Sequence, residues 1–580
     1  MSVNGQLEHR TKPRPNVSGA RESVESFVLV FLGFLVLGLE AEGFVIPTGS
    51  MAPTLMGRHK EVTCPECGFT YAVNADNEVG TNAPTRPESR WVVAGTCVNC
   101  RYVARIDDLP NFQGDRIYVM KTPLTLPLFP TLGTARLGRW DIAVFKVPEE
   151  PEVRYIKRLI GMPDEVVRIH RGDIWVRRGG KDAPFTRPYR SLAHQEAMQI
   201  AVHDDTHRPK ALAGDPRWRR WAPGAEGGWK ESPVPGNASR YEIAADAPEW
   251  AELRYRNVVP HPEQWASIVR GEELPHPPRA SLITDFYAYN TELTEDMGIH
   301  PSASRKSWNH PHWVGDLTVK FDLEVPARKG SVRINLTKGG IGNICEIDLE
   351  SNQVSLRHGN TLVGGPVPAG ITRTGTHAVS FANVDDRLTI QIDGALPFGE
   401  GVVLVPEEEE FPNAADLSPV AISARGASVA VSGLRISRDI YYTLDPARSD
   451  LPLLDREPFL SDPEALFDWL GDPSRFEAFA ERQPSDYPIG PGHYMMLGDN
   501  SPWSKDGRAW RRTDQIDPSD PTSGWDQSGR ESWEVPEALL IGKAFCVYWP
   551  HLKPIWPNVH LGRDLRLPAV PNFAEMRWIR

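Results

Sequence analysis

The chain has 580 residues with a net charge of −12, long enough for about three to four domains and lacking the basic balance of a nucleic-acid binder. Charged residues make up 24% and hydrophobic ones 40%, which describes a mostly globular chain, not a disordered one. The 53 Pro and 48 Gly point to loops and β-structure, and six Cys are too few for a small disulfide scaffold.

Residues 1–23 form a polar N-terminal tail carrying Arg10, Lys12, Arg14 and Arg21. Ser26–Leu39 is uncharged and almost wholly apolar. As a helix its fourteen residues span about 21 Å, short of a hydrocarbon core of roughly 30 Å, so a span must extend over 24–43. An anchor, a cleavable leader core and a buried helix all fit such a stretch. The expectation is an uncleaved anchor in the lipid bilayer, with the basic flank inside and the rest of the chain outside.

Residues 44–58 follow with Pro47, Thr48, Gly49, Ser50, Met51 and Pro53. Pro and Gly at that density predict a turn that exposes the Ser50 hydroxyl and aims its N–H into the same space. In 59–112, Cys64 and Cys67, then Cys97 and Cys100, make two CxxC pairs with zinc-ribbon spacing. Four thiolates close a tetrahedron and leave no catalytic position. Structural zinc is the first reading, two disulfides the second and a redox pair the third.

Residues 113–180 read as strands. Trp140–Phe145 is nearly continuously apolar, and Lys157 lies between Tyr155 and Leu159 on one strand face, with Arg154, Ile156 and Arg158 on the other. Val166–Ile169 and Ile174–Val176 predict a hairpin. Residues 181–300 show no clear period. Residues 301–445 carry short alternating strands, such as Leu388–Ile392 followed by Asp393-Gly394, and predict a β-sandwich of jelly-roll type, open to a protein or glycan contact. Residues 446–484 read as a linker. Residues 485–551 return to strands around Gly498–Arg508, and 552–580 read as a polar tail.

The ordered set of the Ser50 loop, the Trp140–Val147 strand, the Tyr155–Glu165 lysine strand and the Gly498–Arg508 loop, behind an apolar stretch, resembles bacterial-type signal peptidase I. The resemblance implies a mainly β, membrane-anchored catalytic domain, here interrupted by the zinc-ribbon-like and sandwich inserts. It also implies a serine endopeptidase of the cell membrane that acts on the outer side on signal peptides of exported preproteins. Carried over, Ser50 is the nucleophile and Lys157 the general base. Thr48 joins the Ser50 N–H in the oxyanion hole, Ser504 orients the lysine amine, and Asp499, Asp506 and Arg508 form a support network. Gly507 and Pro502-Trp503 depart from the family pattern around Ser504. No cofactor is implied for catalysis. A non-catalytic, membrane-anchored binding module is the competing reading, and it needs neither Ser50 nor Lys157. A self-cleaving repressor-type regulator also uses a Ser/Lys pair, and the apolar stretch and the acidic charge count against it.

The chemistry is consistent with that resemblance. A lysine with a pKa of about 10.4 is neutral in only about one molecule in 2,500 at pH 7. Desolvation lowers the pKa, and at about 8 roughly a tenth is neutral. Neither serine box contains a His that would serve a triad.

Overall fold

The computed structural model describes residues 41–78, 91–121, 137–147, 150–234, 238–244, 249–299, 312–405, 410–444, 468–479, 484–510, 533–549, 552–554, 560–561, 565–566, 569–571 and 576–579. Among these the protein is mainly β, as the sequence predicts, with short helices such as Leu192–Ala197 and Pro262–Arg270.

The sheet that carries the catalytic candidates runs in the order Ala41–Val45, Arg116–Lys121, Leu540–Trp549, Ile142–Val147, Glu150–Gly161, His493–Leu497 and Glu534–Pro536. Strands from three distant parts of the sequence therefore lie side by side. Alternate residues of Ile142–Val147 enter different cores: Ile142 and Val144 pack with Met51, Leu55 and Val119, whereas Ala143 and Phe145 pack with Leu159, Met496 and Val535. Burial on both faces is why this strand reads as a continuous apolar run and not as an alternation. Glu165–His170 and Asp173–Arg178 form the expected hairpin, joined by Ser485–Pro488.

The sandwich is broader than 301–445. One sheet runs from Lys230–Val234 through Ala238–Ile243, Val429–Arg438, Leu317–Val325, Gly375–Val384 and Arg387–Ile392 to Val402–Val403. The other runs from Trp221–Pro223 through Ala251–Tyr255, Val420–Arg425 and Ser331–Lys338 to Thr361–Pro368. Leu317, Val319, Phe321 and Leu323 meet Val332, Ile334 and Leu336 in one core, the two inner faces of packed sheets. Part of 181–300 is thus strand, not irregular chain. Ser239, Tyr241 and Ile243 do alternate inward, but Pro and Trp on the intervening turns obscure the period.

Three further expectations change. Residues 24–40 of the expected anchor lie outside the described residues, and Ala41–Val45 is a strand paired with Arg116–Met120, not the end of a helix. Among the described residues no helix is long and apolar enough to cross a membrane. The cysteine-bearing module does not stand alone. Leu293–Thr294 pairs with Val92–Ala94, and Trp218, Val258 and Trp265 complete its core. In the C-terminal tail, Arg577–Trp578 pairs with Cys546–Val547 of the sheet that carries the catalytic candidates.

Candidate active site

After strand Ala41–Val45 the chain bends, with the Ile46 N–H donating to the Asp115 carbonyl at 2.9 Å. Thr48 is extended, and Gly49–Met51 makes one 3-10 turn closed by the Ala52 N–H on the Gly49 carbonyl at 3.1 Å. Met51, Ala52 and Leu55 are buried beneath, so an apolar foot holds the turn. Glycine is required at 49 for space. A Cβ there would lie 2.2 Å from the Tyr289 ring.

Lys157 sits opposite Ala143 on the neighbouring strand. Its Nζ donates to Ser50 Oγ at 2.6 Å. Lys157 is 4% exposed and Ser50 8%. Burial pulls the lysine down to about 8, with Asp506 and Asp499 opposing the shift and Arg508 assisting it. The Tyr155 ring lies 5.9 Å from the amine and supplies part of the apolar wall. The pair has the two properties a Ser/Lys dyad needs, contact and desolvation.

Behind the dyad lie two fully buried ion pairs. Arg158 grips Asp499 with both ends of its guanidinium, at 2.7 and 2.6 Å, and Thr54 Oγ1 donates to the same carboxylate at 2.5 Å. Arg508 grips Asp506 at 2.9 and 2.6 Å, and Asp506 also accepts the Gly498 N–H at 3.0 Å. Arg508 reaches on to the Thr443 carbonyl and Ser501 Oγ, each at 2.7 Å. Asp499 therefore ties the lysine strand to the Gly498–Arg508 loop, and Asp506 holds Arg508, which ties Thr443 to it. Removing one partner strands the other charge in a dry interior, so Asp499→Ala is expected to lower stability by about 3–5 kcal/mol. Denaturant melts check this, and the double variant Asp499→Ala/Arg158→Met should recover part of the loss.

Ser504 behaves differently from the expectation. Ser504 Oγ is buried and has no hydrogen-bond partner among the described residues, so the structure contains no bond from it to the lysine amine. It packs over Gly498, where a Cβ would lie 2.2 Å from that hydroxyl. Thr48 is exposed, and its hydroxyl caps no N–H of the turn. Sequence reasoning also missed Arg158, Thr54, Asn500, Asn290 and Tyr289. Strand alternation placed Arg158 opposite Lys157, as observed, but that face is also buried here. Asn500, beside Asp499 in the same loop, was within reach of motif reasoning; Asn290 and Tyr289 sit in a segment with no period.

The four cysteines converge. Cys64 and Cys100 sulfurs are 3.6 Å apart, as are those of Cys67 and Cys97, and all four lie within 4.8 Å of one another. A tetrahedral metal with bonds of about 2.3 Å needs sulfur–sulfur edges of about 3.8 Å, whereas a disulfide needs about 2.05 Å. The cluster is buried, and the thiols are unbridged. It is able to hold a metal ion, and its closure leaves no place for a substrate. A second acidic group, Asp173, Asp316 and Asp385, is already paired, Asp173 with Arg187, Asp385 with Arg190 and Asp316 with Lys338. It reads as an ion-pair network joining the hairpin to the sandwich.

Residues 91–215 match the family model described as signal peptidase, peptidase S26. The chain is similar to the signal peptidases. The matched stretch includes Lys157 and Arg158 but neither Ser50 nor the Gly498–Arg508 loop. Signal peptidase I of Pseudomonas fluorescens is 31% identical over 107 residues, 18% of this chain and 28% of that protein. The Pseudomonas aeruginosa protein is 32% identical over 103 residues, 18% and 27% of the two chains, and the Rickettsia bellii protein 24% over 163 residues, 28% and 41%. The chain therefore spans well under half the length of the curated relatives it matches. Among solved structures, a carbohydrate binding module, CBM66 from Bacillus subtilis, aligns over 38% of this chain and 96% of its own, at 10% identity and a TM-score of 0.21. The Caenorhabditis elegans galectin LEC-6 aligns over 21% and 83%, at 11% identity and a TM-score of 0.16. Fits of that size carry no argument about ligand.

Proposed function

We propose that this chain is a membrane-bound serine endopeptidase that removes signal peptides from exported preproteins with a Ser50/Lys157 dyad. The observation that carries the reading is the buried 2.6 Å contact between Lys157 Nζ and Ser50 Oγ, with burial pulling the lysine down to about 8. The similarity to signal peptidases supports the substrate class, including small residues at positions −1 and −3 of the signal peptide.

In the reaction, neutral Lys157 takes the Ser50 proton as Oγ attacks the scissile carbonyl. The tetrahedral oxyanion is met by the Ser50 N–H and the Thr48 hydroxyl, a kind of stabilisation worth several kcal/mol. The lysine ammonium then protonates the leaving amine, giving an acyl-enzyme on Ser50. Water, deprotonated by the same amine, releases the signal peptide and restores the dyad. In this reading Ser504, buried against Gly498, is the hydroxyl that orients the amine.

The apolar stretch Ser26–Leu39 lies just before the strand that leads into Ser50, and it serves in this reading as the anchor that keeps the site on the outer membrane surface. The cysteine cluster holds structural zinc, and the sandwich is a contact domain. Incubating the detergent-solubilised chain and its Ser50→Ala variant with a preprotein tests the proposal. Cleavage at the signal junction by the first alone is the expected result; equal cleavage by both, or none by either, overturns it.

A further inference from the structure

The turn that carries Ser50 is held from outside the catalytic sheet. Ala288–Asn290 forms a short 3-10 turn, and Leu293–Thr294 then pairs with strand Val92–Thr96. Tyr289 is buried, its hydroxyl donates to the Arg58 carbonyl at 3.2 Å, and its ring fills the space beside Gly49. Asn290 exchanges two hydrogen bonds with Asn500: Asn290 Nδ2 donates to Asn500 Oδ1 at 2.7 Å, and Asn500 Nδ2 donates to Asn290 Oδ1 at 2.8 Å. Asn500 then uses both of its remaining donors on the nucleophile turn. Its Nδ2 donates to the Gly49 carbonyl at 3.1 Å, and its backbone N–H donates to the Ser50 carbonyl, also at 3.1 Å.

The Gly49 carbonyl and the Ser50 N–H belong to one rigid trans peptide plane and point in opposite directions. Holding the carbonyl on Asn500 therefore fixes where the N–H points. A side-chain amide can rotate to exchange its oxygen and nitrogen, and a rotated Asn500 would set oxygen against the Gly49 oxygen. The reciprocal pair with Asn290 opposes that rotation, because a rotated Asn500 would also meet Asn290 donor to donor and acceptor to acceptor.

We infer that Asn290 is a positioning residue, which locks the Asn500 amide and through it aims the Ser50 N–H at the developing oxyanion. The inference rests on the endopeptidase reading above for its catalytic consequence, and on the hydrogen-bond chain alone for its structural one. It gives residues 288–294, which lie far from Ser50 in sequence, a task in the reaction.

Asn290→Ala is expected to lower kcat roughly 10- to 100-fold, less than or comparable to deleting an oxyanion donor outright. KM should stay within about twofold, since the change alters the aim of the Ser50 N–H, not the binding of substrate. The combined Asn290→Ala/Asn500→Ala chain should lose no more than Asn500→Ala alone, because both act through one path. Backbone hydrogen exchange over residues 48–56 should rise in Asn290→Ala. Where the alanine chain does not fold, Asn290→Asp, which keeps the shape but lacks the donor, takes its place. Unchanged kcat with unchanged exchange overturns the brace while leaving the peptidase intact. A wild-type chain that cleaves nothing removes the peptidase reading, and the exchange measurement still decides the brace. Additive losses in the double variant count against a shared path and overturn the inference.

Discussion

Lys157→Met is expected to abolish preprotein cleavage, by at least about 10³-fold, with the fold retained. Methionine fills nearly the same volume without an amine, so the strand and its apolar neighbours keep their packing while Ser50 loses its base. The wild-type rate should rise with pH and level off above about 8, because the working form is the neutral amine and burial sets its midpoint there. Stability depends on pH in the same direction. The lysine's pKa falls from 10.5 in the open chain to about 8 in the fold, so the unfolded chain binds more protons between those values. Folding stability from this group therefore rises as pH goes from about 8 to 10.5, and below 8 the full penalty of a buried ammonium applies. That penalty is about 3 kcal/mol at most. Lys157→Met removes it, so at pH 7 the inactive variant should melt at the same temperature as wild type or higher. Rates on a preprotein between pH 6 and 10 and melts at pH 7 check both halves. Retained cleavage by the methionine variant would remove lysine as the base, and a flat pH profile would remove burial as its cause.

The sequence shows most clearly the parts of the site whose chemistry is local. Ser50 sits among Pro47, Gly49 and Pro53, a spacing that imposes a bend, and Lys157 lies between Tyr155 and Leu159 on one strand face, which makes it a candidate for burial. Each of the two CxxC pairs is a self-contained turn, so their spacing already describes the cluster. What the sequence hides are the contacts that depend on several strands converging. Arg158 looks like a surface residue until Asp499, 341 residues later, is folded against it. Asn290 and Tyr289 lie in a Pro- and Trp-rich stretch without a period. The same masking hid Ala238–Ile243 and Ala251–Tyr255, whose partners in the sandwich are Val429–Arg438 and Val420–Arg425. Short strands between irregular turns take their identity from the sheet they join, not from their own residues.

Removing metal from the cysteine cluster is expected to abolish the proposed cleavage without touching Ser50 or Lys157. Purified without chelator, the chain should contain about one zinc, held by Cys64, Cys67, Cys97 and Cys100. Four sulfurs drawn this close repel once ionised, and the cation is what makes their proximity favourable. Zinc-finger peptides gain roughly 10–16 kcal/mol from such a site. This module has its own apolar core around Val73, Val92 and Trp265, so part of that energy is replaced and a loss of several kcal/mol remains. The damage should not stay local. Strand Val92–Thr96, which leads into Cys97, pairs with Leu293–Thr294, and the Thr96 N–H donates to Thr291 Oγ1 at 2.8 Å. Thr291 follows Asn290, so unravelling the module releases the segment that holds Asn500 and, through it, the Ser50 turn. Cys97→Ser, or prolonged chelation, should lower the melting temperature, raise hydrogen exchange over 48–56 and cut cleavage at least tenfold. Metal analysis, melts and rates on one preparation decide the matter. Two disulfides with no bound metal would overturn the zinc assignment, and full activity of a metal-free, partly unfolded module would break the link between cluster and nucleophile.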